Sequence, residues 1–207
     1  MIQPTDTFPP LAHIVQNLAE KGYSVAPDFL PAGEVAQLRQ ETLALAQQGA
    51  LHRAGVGKGR LLQDETRGDL VRWLDADNAS DAQRAYLQRL ETLRQAVNRD
   101  LFLGLFDFEG HLALYPPGAF YRKHLDQFQG NNQRTLSCIL YLNHDWKAQD
   151  GGELRLHLDD DTHLDILPQG GTLVAFLSSR FQHEVLPASR QRASITGWFK
   201  TRDKLAA

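Results

Sequence analysis

Apolar residues recur at helical spacing, with strand-like breaks between the helices, over roughly the first hundred positions and then switch to short alternating runs, so the pattern changes near Gly110. Leu11, Ile14, Val15 and Leu18 predict a first helix that stops at Lys21-Gly22. A second is expected from about Gly33 to Gln48, with Val35, Leu38, Thr42 and Leu45 on one face and Gly49 beyond its end. The third is the clearest: Ser80 and Gln83 form a capping-box pattern, and Ala82, Tyr86, Leu90, Leu93 and Val97 make an apolar stripe. All three stripes predict core packing. Between the second and third helices, "HRAGVGKGRLLQDETRGDLVRWL" places Gly55, Gly57 and Gly59 around Lys58. It lacks the G-x-x-x-x-G-K spacing of a phosphate loop, and no Ser or Thr follows the lysine, so it reads as a hairpin loop between two strands.

From Gly110 onward the segments "HLALYP", "TLSCILYLN", "GGELRLHL", "HLDILP", "GTLVAFLS", "HEVLPA" and "RASITGWFK" read as strands, separated by turn residues that include Gly118, Asn143, Gly151-Gly152, Pro168 to Gly171 and Pro187. So many short strands in sequence predict an antiparallel sandwich or jelly roll with the helices on one outer face. The length of 207 residues fits one α+β domain, with 1–109 as a helical supporting part and 110–200 as the strand core.

Composition narrows the function classes. Lys plus Arg number 22 against 25 for Asp plus Glu, without a long run of either sign, which gives no electrostatic footprint for nucleic acid. Cys138 is the single cysteine, so neither an internal disulfide nor a cysteine zinc cluster can form, and a reducing compartment is expected. The opening "MIQPTDTFPPLAH" has no basic stretch followed by an apolar one, and no segment approaches membrane-spanning length. A cytoplasmic monomer is the expectation.

In "YRKHLDQFQG", His124 and Asp126 stand two residues apart in a stretch without helical period, where alternate side chains share a face. A lone H-x-D is common by chance, but His183 follows in "SSRFQHEVLPASRQRASITGWF", with Arg192 nine positions later. Two histidines and a carboxylate make the facial triad of non-haem Fe(II) oxygenases, which leaves coordination positions open. Past the turn at Pro187, Arg192, Ser194, Thr196 and Trp198 share the face that would point inward, and Ala193, Ile195 and Phe199 the other. A guanidinium in an apolar interior needs an anion, and its planar fork matches a carboxylate. A dicarboxylate that chelates iron and is gripped by Arg192 satisfies both ends. A cupin-like module that binds metal without oxidation and a zinc hydrolase with the same ligands are the rivals. Neither accounts for Arg192, because zinc-bound water calls for a general base beside it.

"RGDLVRWL", "LALYPPGAFYRKHLD", "CILYLNHDW", "GGELRL" and "HEVLPASRQRASITGWF" together resemble the Fe(II)- and 2-oxoglutarate-dependent dioxygenases, and among them the prolyl 4-hydroxylases related to the oxygen-sensing hydroxylases of animals. The resemblance runs from about Arg67 to Lys200. It implies a double-stranded β-helix core with iron on His124, Asp126 and His183, and Arg192 on the distal carboxylate of 2-oxoglutarate. Tyr141 would share that carboxylate, Tyr115 would lie near the metal-bound end, and Thr196 and Trp198 would line the cosubstrate site. Arg134 would contact substrate at the mouth. Arg67 and Asp69 fall in the substrate-side motif, where a local ion pair at the base of the loop is the simpler reading, and residues of about 52–69 would form a mobile finger loop. The implied chemistry consumes O2 and 2-oxoglutarate, releases succinate and carbon dioxide, and hydroxylates an unactivated carbon, with ascorbate keeping iron reduced. The implied substrate is a prolyl residue in a flexible protein loop, with elongation factor Tu as first candidate and a free amino acid or small metabolite as the alternative. His13, His52, His111, His144, His157 and His163 lack partners at ligand spacing and are expected to be surface or satisfied core residues.

Overall fold

The computed structural model describes residues 11–54, 66–127, 133–159 and 161–202. Its helices are α1 (Leu11–Lys21), α2 (Ala32–Gln47) and α3 (Asp81–Leu101). The strands are β1 (Tyr23–Ala26), β2 (His52–Arg53), β3 (Leu70–Trp73), β4 (Leu105–Tyr115), β5 (Tyr121–His124), β6 (Arg134–Tyr141), β7 (Leu154–His157), β8 (His163–Ile166), β9 (Leu173–Leu177), β10 (His183–Val185) and β11 (Arg192–Thr201). They form a seven-stranded sheet in the order β1-β9-β6-β11-β4-β3-β2 and a four-stranded sheet in the order β5-β10-β7-β8. The strand pairs within both are antiparallel.

Strand alternation divides the large sheet between two cores. Leu112 and Leu114 of β4, Leu136, Cys138 and Leu140 of β6, and Ala193, Ile195 and Phe199 of β11 pack with Ile14, Leu18, Val35, Leu38, Tyr86, Leu90, Leu93 and Val97 of the helices. The residues between them, Ala113, Tyr115, Ile139 and Tyr141, pack with Leu154, Leu156, Ile166 and Val185 of the small sheet. The helices therefore cover one outer face of a sandwich, the α+β jelly-roll arrangement that the periodicity predicts. The central strands are buried on both sides, which is why "CILYL" reads as a continuous apolar run rather than an alternating one.

The helices fall within a residue or so of their sequence-predicted bounds. Ser80 caps α3 by accepting a hydrogen bond from the Gln83 backbone N–H at 3.1 Å. The reciprocal arm of a capping box is not made. The Gln83 side chain instead donates to Glu41 Oε2 at 3.1 Å, and the Ser80 hydroxyl donates to the same oxygen at 2.7 Å, so the cap ties α3 to α2. β1 is a strand-like break of the kind expected between the helices; its Ser24 and Ala26 are buried, and it pairs along its length with β9. The hairpin expected between the second and third helices is present as β2 paired with β3, while Gly55, Lys58 and the rest of residues 55–65 lie outside the described residues. Among the described residues, no helix is long and apolar enough to cross a membrane.

Candidate metal centre

His124 ends β5 and stands directly across from His183 of β10 in the small sheet. Asp126 lies in the bend just after β5, so a turn of the chain, rather than strand alternation alone, brings it to the two rings. Its Oδ1 is 3.6 Å from His124 Nε2 and its Oδ2 is 3.5 Å from His183 Nε2. The three side chains offer ligand atoms within 4.8 Å of one another, the only such group of three or more among the described residues. His124 Nδ1 lies 2.7 Å from Arg122 O, and His183 Nδ1 lies 3.3 Å from Phe181 O. A carbonyl can only accept, so each Nδ1 carries a hydrogen and each Nε2 is the ring nitrogen left to face the centre.

Asp126 is buried, and burial works to raise its pKa. The His183 and His124 rings and a 2.6 Å hydrogen bond from the Ser137 hydroxyl outweigh that and hold the carboxyl well below its usual range. Burial pushes the His183 pKa down to about 4 against the pull of Asp126, so the ring is neutral near pH 7. Two imidazoles and one carboxylate make a donor set that can hold a divalent cation with positions to spare.

Arg192, at the start of β11, is 1% exposed. Its Nε donates to Gly152 O at 2.9 Å, and its Cζ lies 5.1 Å from the ring centres of both Tyr115 and Tyr141. Gly152 makes this approach possible: its φ is +75°, and a Cβ there would stand 2.8 Å from Ala188 Cβ and 3.3 Å from Arg192 Cδ. Among the described residues no carboxylate pairs with Arg192. Tyr141 Oη and Ser194 Oγ, on residues directly paired between β6 and β11, are buried and have no hydrogen-bond partner among the described residues. Burial lifts the Tyr141 hydroxyl to about 12 and Tyr115 further, so both remain neutral donors. A buried cation with two unsatisfied hydroxyls beside it fits a bound carboxylate.

Thr196 is half-buried on the inward face of β11, opposite His111. Trp198 is buried with its Nε1 unpartnered, and the Arg134 guanidinium lies over its ring at 3.6 Å while donating to Glu109 at 2.8 Å. Arg67 and Asp69 form a bidentate pair at 2.7 and 2.6 Å, so the local ion pair expected at the loop base is present. His157 pairs with Glu184 at 3.0 Å, apart from the centre.

Sequence reasoning passed over three residues. Ser194 lies on the same inward face as Arg192, and Tyr121 opens the very stretch that holds His124 and Asp126. His111 is neither a surface nor a satisfied residue: it is 3% exposed, its Nδ1 has no hydrogen-bond partner among the described residues, and its ring sits 5.0 Å from the Trp73 ring and 5.6 Å from Trp198. Its alternation with Ala113 and Tyr115 on β4 was the available signal. Burial lowers the His111 pKa from 6.5 to about 4, although Asp69 pulls the other way. As pH falls through this window the unfolded chain takes up a proton that the folded ring refuses, so stability falls. His111→Phe should remove on the order of 3 kcal/mol of that loss, read as the difference in urea-unfolding free energy between wild type and variant from pH 6.5 to 4.

A jelly roll that holds two histidines and a carboxylate near a buried arginine defines a metal-dependent oxygenase class, and the model of the 2OG-Fe(II) oxygenase superfamily matches residues 110–200. The crystal structure of a Pseudomonas putida prolyl-4-hydroxylase is 46% identical, with a TM-score of 0.86 over 93% of this chain and 99% of that one. A Trichoplax adhaerens prolyl hydroxylase, solved with a hypoxia-inducible factor oxygen degradation domain peptide fragment, is 27% identical, with a TM-score of 0.85 over 92% of this chain and 88% of that one. Human Egl nine homolog 1 is 30% identical over 211 residues, 95% of this chain, and the chain spans 48% of that protein's length. The chain belongs to the prolyl hydroxylase family of 2OG-Fe(II) oxygenases, whose cofactor and cosubstrates are Fe(II), 2-oxoglutarate and O2.

Proposed function

We propose that this chain is one dioxygenase domain that hydroxylates a prolyl residue of a protein substrate at C4, with a loop of elongation factor Tu as the first candidate. The observation that carries the reading is the buried Arg192, unpaired among the described residues, in the same sandwich as the His124, Asp126 and His183 cluster. His124, Asp126 and His183 hold the metal through two Nε2 atoms and a carboxylate oxygen. Arg192 grips the far carboxylate of 2-oxoglutarate, with Tyr141 and Ser194 as neutral donors to its remaining lone pairs, and Tyr115 faces the near end. Thr196 and Trp198 line the space between, and Arg134, braced by Glu109 and Trp198, stands on the substrate side. Bound Fe(II), with 2-oxoglutarate and O2, supplies the oxidation that hydroxylates an unactivated carbon and leaves succinate and carbon dioxide. The protein's share is to orient the reactants and keep water out of a low-dielectric site.

One consideration favours a protein over a free amino acid, and a second favours proline over a flexible side chain. The Trichoplax adhaerens relative was solved with a peptide, and 27% identity with a TM-score of 0.85 supports a similar substrate-side architecture. Proline also suits such a site because its fixed ring presents C4 without side-chain rotamer cost. The test is incubation of the protein with Fe(II), 2-oxoglutarate, ascorbate and purified elongation factor Tu, followed by peptide mass spectrometry. One added oxygen on a single proline, released as 4-hydroxyproline on hydrolysis, is expected. Efficient hydroxylation of free proline, with none on protein, would contradict the reading.

A further inference from the structure

Asp69, Arg67, Tyr121 and His124 make an unbroken chain of contacts from the segment before β3 to the metal centre. Arg67 is locked to the buried Asp69 by two hydrogen bonds, and its Cζ lies 4.3 Å from the centre of the Tyr121 ring. The Tyr121 ring stacks on the His124 imidazole, with centres 3.7 Å apart and planes 21° from parallel. The backbone follows the same route. Arg67 bridges Tyr121, the Gly68 N–H donates to Phe120 O at 3.0 Å, and the Arg122 N–H donates to Thr66 O at 2.9 Å.

His124 needs such support more than its two partners do. Its side chain is 15% exposed, against 7% for Asp126 and 4% for His183, and it ends a four-residue strand at the edge of the small sheet. One hydrogen bond from Nδ1 leaves the ring free to rock about that bond; a stacked ring removes this freedom. An imidazole bound to a dication is electron-poor, so the electron-rich face of Tyr121 favours the metal-bound form. The Arg67 charge on the same ring would oppose this, and the paired Asp69 carboxylate offsets it.

From this geometry we infer that Tyr121 is a positioning residue for His124, held in place by the Arg67–Asp69 pair, so that the segment before β3 governs how firmly the centre retains its metal. The inference rests on His124 being a metal ligand. The test loads the protein with Co(II) and follows its release to a chelator by the cobalt absorption, with thermal unfolding of the metal-free protein as a check on folding. Tyr121→Phe keeps the ring and should release metal as the wild type does. Tyr121→Leu and Arg67→Met should each release it about tenfold faster. Wild-type release from Tyr121→Leu overturns the inference; should that variant not fold, wild-type release from Arg67→Met overturns it. His124→Ala separates the two levels. It should lose the bound-cobalt absorption, and retention of that absorption would instead remove His124 from the ligand set and the inference with it.

Discussion

Asp126→Ala should reduce 2-oxoglutarate turnover below detection, and His124→Ala and His183→Ala should do the same. Asp126 is the sole carboxylate of the cluster, and its loss removes both a ligand and the cluster's only anionic group. The protein should still fold. Ser137, which donates to Asp126, retains a 2.8 Å contact with the Ser178 hydroxyl, so no buried polar group is orphaned. Loss of activity with an unchanged melting temperature in the metal-free form would thus report the centre itself. His144→Ala is the control: the residue is exposed, lies outside the cluster and should keep most activity. Full turnover in any of the three variants, at controlled iron, would remove that residue from the ligand set.

Arg192→Lys should raise the 2-oxoglutarate KM by about tenfold or more, because a point charge replaces a planar fork and a charge-assisted hydrogen bond is worth about 1.5–3 kcal/mol. The shorter reach also gives up the bond from Nε to Gly152 O. Fe(II) affinity in the absence of 2-oxoglutarate should be unchanged, since Arg192 is not part of the His124, Asp126 and His183 cluster and, in the proposed reading, holds the far end of the cosubstrate. That split, a shifted KM with intact metal binding, distinguishes a carboxylate clamp from a general structural role. An unchanged KM would place the carboxylate elsewhere.

Much of this arrangement was legible in the sequence because it depends on local rules. The 3.6-residue stripes of α1, α2 and α3 and the strand-and-turn rhythm after Gly110 gave the layers. The inward face of β11, with Arg192, Ser194 and Trp198, followed from alternation alone. What escaped depends on partners distant in sequence. A strand-like break was expected between the first two helices, but the place of β1 in the sheet is defined by its pairing with β9, some 150 positions away. β4 begins at Leu105, six residues before the segment read as a strand; Phe106, Asp107, Phe108 and Glu109 already alternate, but Gly110 separates that run from "HLALYP". His111 looked ordinary since nothing near it in sequence reveals that Trp73 and Trp198 enclose it. Tyr121 was quoted with the ligands yet passed over, because its stacking on His124 and its contact with Arg67 exist only once β5 is folded against the 66–68 segment. The half-made capping box at Ser80 is of the same kind: Gln83 had the right spacing, but Glu41 of α2 offered it another partner.

The most direct test of the account is an anaerobic titration of the Fe(II)-loaded protein with 2-oxoglutarate, monitored by visible absorption in the wild type, Asp126→Ala and Arg192→Lys. The account predicts a charge-transfer band in the wild type as the cosubstrate chelates iron, no band in Asp126→Ala, and in Arg192→Lys the same band reached only at higher 2-oxoglutarate. Absence of the band in the wild type, or a band in Asp126→Ala as strong as in the wild type, would contradict the central claim that the His124, Asp126 and His183 cluster holds the iron to which 2-oxoglutarate binds.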